Sequence, residues 1–334
     1  MEFWTSFAGQ MVLRGAATSV TENYDRFVNS AVNAERLGFD GVVASEHHFE
    51  YNRFLPSPLQ ALAAAAAATS RIRLITGAML LPLYDPIRAA EMACAVDVLS
   101  GGRLVLGLGQ GYRPVEFDGL GVAKKTRGAR HSEAMDILRL ATTHGRVSYS
   151  GQHYRFDNVE VNPASLQHPI ELWFCGGNSV VGARRAARAG IDYWAANLPL
   201  EPARTLIARY KEFAREAGHR PEQLRVAIFR DVFIGETVEE ARAARQQYLD
   251  LYYDEHIRSY GYLLDADGQP LFEPPFDHPA YLQFVDSLYC GSYQMVIEEL
   301  THYESLGVHS ITVPPIQIDA FSKHILPAFR RRGQ

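Results

Sequence analysis

The chain has 334 residues, 47% hydrophobic and 21% charged, with a formal net charge of −5 and no blocks of Lys or Arg, a composition of a globular protein with a sizeable core that argues against nucleic acid or an anionic membrane as partner. No apolar run approaches the ~20 residues of a membrane span, no basic region leads into an apolar one near the start, and Arg14 interrupts a signal-peptide reading. Cys94, Cys175 and Cys290 stand far apart without CxxC spacing, so neither a disulfide framework nor a zinc site is indicated, and the chain reads as cytoplasmic.

Glu2 to Phe7 is a short apolar strand, and Thr18 to Asn23 opens a helix carried by Phe27, Ala31, Ala34 and Leu37 and closed by Gly38. The second strand, Phe39 to Ala44, ends abruptly in Ser45, Glu46, His47 and His48, four residues that accept, donate or exchange protons. Pro56-Ser-Pro58 starts an alanine-rich helix, Leu59 to Thr69. Ile72 to Leu81 is a continuous apolar strand, as burial on both faces requires in a parallel sheet. Asp85-Pro86 begins a helix through Val98, and Arg103 to Leu108 is a fourth strand running into Gly107-Leu-Gly-Gln-Gly-Tyr112. Arg130 to Thr143 is helical, and Val147 to Phe156 is a hairpin turning at Ser150-Gly151.

Ile170 to Cys175 resumes the strands, followed by Gly176-Gly-Asn-Ser179 and the helix Gly182 to Ala189. Ile191 to Ala196 and Leu224 to Ile234 are the sixth and seventh strands, with the helix Pro202 to Ala217 between them and the helix Thr237 to Tyr253 after them. From Asp254, aromatics and prolines break the rhythm as far as Pro279, and residues 254–290 read as an inserted lid. The helix Tyr293 to Leu306, the strand Ser310 to Val313 and the helix Phe321 to Arg331 complete an eighth unit. Eight alternations without a crossover reversal predict one α/β domain over residues 1–334, a (β/α)8 TIM-type barrel with inserted loops. A doubly wound open sheet, the rival, would normally have fewer strands and a second domain at this length.

In such a barrel the loops after the strands share one face. That face gathers Glu46, His47 and His48 with Gly77-Ala78, Gly109-Gln-Gly-Tyr-Arg113 and Gly176–Ser179. A glycine turn opening onto a helix forms an anion site, so Gly176 to Ser179 reads as a phosphate cradle with Arg184 or Arg185 close by, or as a plain glycine turn. Tyr84, Tyr112 and Phe49 supply flat walls, or ordinary core. Adjacent histidines in an extended segment point to opposite sides, and no second carboxylate–histidine cluster appears, so no metal is expected.

Ser45-Glu-His-His-Phe49, Leu80-Leu-Pro-Leu-Tyr-Asp-Pro86, Asp97-Val-Leu-Ser-Gly-Gly-Arg-Leu104, Gly107-Leu-Gly-Gln-Gly-Tyr112 and Trp173-Phe-Cys-Gly-Gly-Asn-Ser179 together resemble the bacterial luciferase-like flavin-dependent monooxygenases, in order and in register over most of the chain. The resemblance implies a TIM-type barrel that takes reduced FMN from a separate flavin reductase, or in one branch the deazaflavin F420. It implies use of O2, through a C4a-peroxyflavin, to oxygenate a small organic substrate; the insert aromatics Tyr260, Tyr262, Phe272 and Phe276 favour an apolar one, or merely pack the lid down. By the same resemblance Glu46 and His47 lie near the flavin ring, with His47 the general acid/base, and Gly77–Ala78 matches a non-proline cis peptide beneath it. Gly109, Gln110, Tyr112, Gly176, Gly177, Asn178, Ser179 and Gly182 match cofactor-binding positions.

The chain departs from luciferase in places. Gln110 stands where luciferase carries an arginine for the phosphate, which leaves that charge to Arg184, and Gly109 replaces its reactive cysteine. Glu116 matches its carboxylate near the mouth. The alanines of Ala63 to Ala68 and Ala89 to Ala95 suit either a homodimer interface or close packing within one barrel. An F420-dependent hydride-transfer enzyme and a non-catalytic flavin-binding protein are the competing functions, and retention of Glu46 and His47 speaks against the second.

Overall fold

The computed structural model describes residues 1–6, 19–50, 55–250, 258–265 and 269–330. Phe7, Thr18, Tyr253, Asp254 and Arg331, at the edges of expected elements, lie outside the described residues. In chain order the strands are β1 (Glu2–Ser6), β2 (Gly41–Ala44), β3 (Arg73–Leu80), β4 (Leu104–Gly109), β5 (Arg146–Ser150), β6 (Arg155–Glu160), β7 (Glu171–Cys175), β8 (Asp192–Ala195), β9 (Val226–Phe229), β10 (Val232–Gly235), β11 (Leu263–Leu264), β12 (Pro270–Leu271), β13 (Tyr289–Ser292) and β14 (Ser310–Val313). β1, β14, β9, β8, β7, β4, β3 and β2 close into a barrel, all parallel, and β5–β6 is the expected antiparallel hairpin. The (β/α)8 reading therefore holds.

The barrel strands are apolar on both sides because each side meets a different core. Outward residues such as Phe3, Val42, Leu74, Leu106, Phe174 and Ile228 pack against the helical layer. Inward residues Trp4, Val43, Ile75, Val105, Trp173, Trp194 and Ala227 fill the bore. In the helical layer, α1 (Val20–Arg36) starts at a reciprocal cap between Ser19 and Glu22, and α2 (Pro58–Ala68) and α3 (Pro86–Ser100) start at prolines. Ala61, Ala65, Ala66, Ala89, Ala90 and Ala93 are buried in this layer, whereas Ala64, Ala67 and Ala68 are exposed.

Three levels stack along the barrel axis. At the N-terminal ends of the strands, two arginines bridge three carboxylates around the barrel. Arg73 bonds Glu2 (3.3 Å) and Glu171, and Arg225 bonds Glu171 (3.0 Å) and Asp192 (2.8 Å). The middle level is indole: Trp4 stands edge-on to Trp173 at 5.7 Å and to Trp194 at 5.2 Å. Trp4 and Trp173 donate their N–H groups downward to Glu2 (2.8 Å) and Glu171 (2.6 Å), which ties the two levels together. Trp194 reaches upward. A Cβ at Gly77 would come within 2.4 Å of Val43 and 2.7 Å of the Trp194 ring, and one at Gly107 within 2.1 Å of the Thr76 carbonyl oxygen. Only glycine lets the staves close around that indole.

The expected seventh strand divides. β9 stays in the barrel, while β10 leaves it and pairs in parallel with β13. The break falls at Arg230 and Asp231, both buried. Arg230 donates to the Asn197 side-chain oxygen (3.0 Å) and to the Ser287 carbonyl and reaches Glu299 at 3.5 Å, and the Asp231 N–H donates to Asn197 (3.2 Å). An apolar run that contains such a pair must step out of the barrel wall to satisfy it. The helix Val238–Tyr248 consequently belongs to this excursion, whose small core is built on Phe233, Ala241, Leu249, Tyr281, Phe284 and Leu288. The helix Tyr293–Ser305 instead buries Val296, Leu300 and Tyr303 against the barrel.

Burial opposes the charge on Glu2, but bonding to His309 and Trp4 and the charge of Arg73 outweigh it and bring its carboxyl to about 2; Arg73 and Arg225 likewise hold Glu171 low against its burial. A depressed folded pKa stabilises fully above the unfolded carboxylate range near ~4.3 and is lost as pH falls through it toward the folded value. Arg73→Met is therefore expected to cost about 1–3 kcal/mol in urea unfolding at pH 7, and the gap to the parent should shrink between pH 5 and 2. Equal stability at pH 7 would show that the charge network is idle.

Candidate active site

The chain leaves β2 at Ala44 and places Glu46, His47 and His48 at the C-terminal mouth, where the extended backbone sends the two imidazoles to different carboxylates. His48 Nε2 lies 2.7 Å from Glu46 Oε1, and the other Glu46 oxygen accepts from the Leu80 N–H at 3.1 Å. His47 Nδ1 lies 2.9 Å from Glu116 Oε1, which also accepts from the His48 N–H at 3.2 Å. Glu46 and Glu116 are both fully buried. Glu116 is delivered by the short helix α4 (Pro114–Gly119), which precedes the long helix α5 (Arg127–His144) and is too brief for sequence periodicity to reveal.

The two couples differ electrostatically. Burial raises the Glu46 carboxyl against the pull of its bond to His48. Burial alone would lower His48, but the bond and charge of Glu46 and the charge of Glu116 raise it. A proton is thus retained by that pair. Burial also works against the charge on Glu116, yet bonding to His47, the His48 N–H and nearby Arg113 hold it below its ordinary value. Tyr84, placed by the Leu80–Pro86 segment, bonds Glu46, and burial beside that carboxylate pushes its phenol up. It is a partner of the dyad more than a wall.

The remaining expected residues cluster beside these. The Gly77–Ala78 bond is cis, and Ser45 Oγ donates to the Gly77 carbonyl at 2.8 Å. Gly109, on the neighbouring strand, abuts Ala78, where a Cβ would fall within 2.8 Å of the alanine's own. Gln110 follows and accepts from Arg185 Nη1 at 3.2 Å, which links the β4 loop to the helix α6 (Val180–Ala189). Arg184, the sequence-based choice for the missing charge, instead lies over the ring of Phe213 at 4.6 Å, turned away from the mouth. The cation beside Gln110 is Arg185.

After β7, Ser179 caps α6 by accepting from the Gly182 N–H at 2.9 Å. The N–H groups of Val180 and Val181 have no acceptor within the helix. Asn178 donates to the Asn197 carbonyl at 3.2 Å. Gly176 has a packing reason of its own, since a Cβ there would meet the Tyr193 ring at 2.4 Å, and Gly177 adopts φ +61°. The hydroxyl of Tyr193 donates to the Gly177 carbonyl at 2.8 Å. So the turn and the acid–imidazole couples leave the same end of the barrel and are bridged by Ala78, Gly109, Gln110 and Arg185.

Of the expected walls, Tyr112 stands edge-on to His47 at 6.0 Å, but Phe49 is 58% exposed and covers Gly119 instead. From the insert, Tyr260 is buried with its ring edge-on to His47 at 4.8 Å. Tyr262, Phe272 and Phe276 are exposed, so Tyr260 is the insert aromatic that reaches the imidazole among the described residues. No group of three or more His, Cys, Asp or Glu side chains poised to hold a metal occurs among the described residues, nor a helix long and apolar enough to cross a membrane.

The family model for luciferase-like monooxygenases matches residues 2–310. An uncharacterised protein of Sinorhizobium fredii is 33% identical over 234 residues, 69% of this chain and 66% of the relative. A second from the same organism, 35% identical, is matched over 52% of this chain and 51% of its own length, so the chain spans between half and two thirds of these curated relatives. The oxygenase component of the flavin-dependent trigonelline monooxygenase of Acinetobacter baylyi is 23% identical over 85% of this chain and 81% of its own. Two solved structures share the fold. The oxygenating constituent of 3,6-diketocamphane monooxygenase of Pseudomonas putida, in complex with FMN, has a TM-score of 0.78 at 23% identity, and an F420-dependent secondary alcohol dehydrogenase one of 0.75 at 18%, each over 98% of both chains. With a closed parallel barrel and a family match running almost end to end, the chain belongs to the luciferase-like monooxygenases.

Proposed function

We propose that the protein is the oxygenase component of a two-component system, taking reduced FMN from a separate flavin reductase and using O2 to oxygenate a small apolar organic substrate. The observation that carries this reading is the meeting, at one barrel mouth, of two carboxylate–imidazole couples with a capped glycine turn. The donors fit a flavin mononucleotide. The N–H groups at the start of α6 and the Arg185 guanidinium suit a phosphate, and the side-chain nitrogen of Gln110 is buried without a partner, a donor left for an anionic or carbonyl oxygen. The Gly77–Ala78 and Gly109 surface carries no side chain larger than a methyl group toward a flat ring.

Reduced flavin, when bound, supplies the activation of O2. The chain supplies position, dryness and protons. Glu116 fixes His47 through Nδ1, so the imidazole works through Nε2, on the other side of the ring, to give or take a proton from the reacting oxygen. Glu46 and His48 keep a second proton beneath it. Tyr260 lies against His47 and shields it from water, which strengthens every polar interaction inside. The trigonelline and diketocamphane oxygenases among the relatives support FMN over F420, and half-buried Tyr112 and buried Tyr260 beside His47 support an organic substrate of low polarity.

Oxygen uptake after mixing with reduced FMN should become coupled to product when a fitting aldehyde, ketone or terpene is present. Anaerobic turnover with reduced F420 would instead assign hydride transfer. His47→Ala is expected to lower coupled oxygenation by about 100-fold or more and to release peroxide, while FMN affinity stays within about threefold of the parent. Undiminished coupling in that variant would take His47 out of the mechanism.

A further inference from the structure

Arg113 is a buried charge that the chemistry above does not use. Its side chain is 7% exposed and pairs with Glu50, which is equally buried. Its Nη1 lies 3.5 Å from Glu116 Oε1 and donates to the His48 carbonyl at 3.4 Å. Its guanidinium carbon sits 4.5 Å from the centroid of the Tyr260 ring, the same ring that stands against His47. One carboxylate oxygen of Glu116 therefore faces His47, the His48 N–H and Arg113 together. Desolvating an arginine and two glutamates is unfavourable, and apolar side chains would seal the same space with a smaller penalty. The cluster needs a use beyond cohesion.

We propose that Arg113 is the positioning residue of the His47–Glu116 couple: wedged between Glu50 and Glu116 and stacked on Tyr260, it pins the carboxylate against the imidazole and ties that arrangement to the seating of the insert. The inference rests on the reading of His47 as the proton carrier. Other charged and titratable groups face the couple from each packed element. Glu46, His48 and Glu50 come from the loop after β2, Tyr112 from the loop after β4, Tyr260 from the insert, and Tyr84 stands behind Glu46. Removing a cation from this company raises the proton affinity of every group beside it. A purely space-filling role for Arg113 would not.

The test compares Arg113→Met, which keeps the stem and loses the charge, with Arg113→Lys, which keeps the charge. In cofactor-free protein the Glu116 carboxyl, held low by His47 and Arg113, is titrated by 13C NMR, assigned by its loss in Glu116→Gln, and in the complete reaction the acid limb of kcat/KM is followed. The methionine variant should move both upward by about one pH unit, and lysine should restore most of that shift. Should the methionine variant fail to fold, Arg113→Gln serves as the neutral form. An unshifted Glu116 carboxyl in a folded neutral variant, or a lysine variant no closer to the parent than methionine, overturns the proposal. Because the NMR titration needs no turnover, a parent protein that oxygenates nothing would sink the oxygenase reading while leaving the Arg113 result legible.

Discussion

One oxygen of Glu116 joins the parts of the mouth that the chain brings from three distant stretches. It faces an imidazole and a backbone N–H from the loop after β2 and a guanidinium from its own loop, and that guanidinium lies on a tyrosine from the insert. A wholly buried carboxylate can keep its charge only where donors and cations surround it. That requirement fixes where the loops can lie. The imidazole orientation, the seating of Tyr260 and the course of the β4 loop all meet at this single oxygen, Oε1.

The mouth can be held so closely because what lies beneath it is rigid. Arginine–carboxylate bridges join the lower ends of the strands, indoles fill the bore, and glycines at 77 and 107 close over the uppermost indole. Side chains projecting from rigid strands, with partners behind them, keep their geometry better than side chains on free loops. The excursion from β10 to β13 departs from this frame through Arg230, whose bonds to Asn197 and Ser287 root it, and Asn178 of the glycine turn bonds the same Asn197. The insert is thus fastened near both ends of the candidate cofactor site.

Much of this is legible in the sequence because parallel strands must be apolar on both faces and active-site loops must follow their C-terminal ends. Runs such as Ile72 to Leu81 and Ile170 to Cys175 therefore announce the barrel, and Glu46 and His47 announce the mouth. What stays hidden depends on three-dimensional phase. Arg184 and Arg185 differ by about 100° around a helix, and only packing on Phe213 decides that Arg184 faces away. The partition of the histidines between two glutamates, one of them 69 residues downstream, leaves no local pattern. The end of β9 is masked by apolar residues on both sides of Arg230 and Asp231, and the need of Trp194 for glycine at 77 and 107 shows only once the staves are closed.

The central claim is that the His47 loop and the Gly176–Ser179 turn hold the two ends of one flavin. A crystal structure of the protein soaked with FMN under reducing conditions tests it most directly. The phosphate is expected on the N–H groups of Val180 and Val181 beside Arg185, with the ring over Gly77–Ala78 and its edge toward His47. A flavin bound with its phosphate away from α6, or with its ring on another part of the surface, would contradict it.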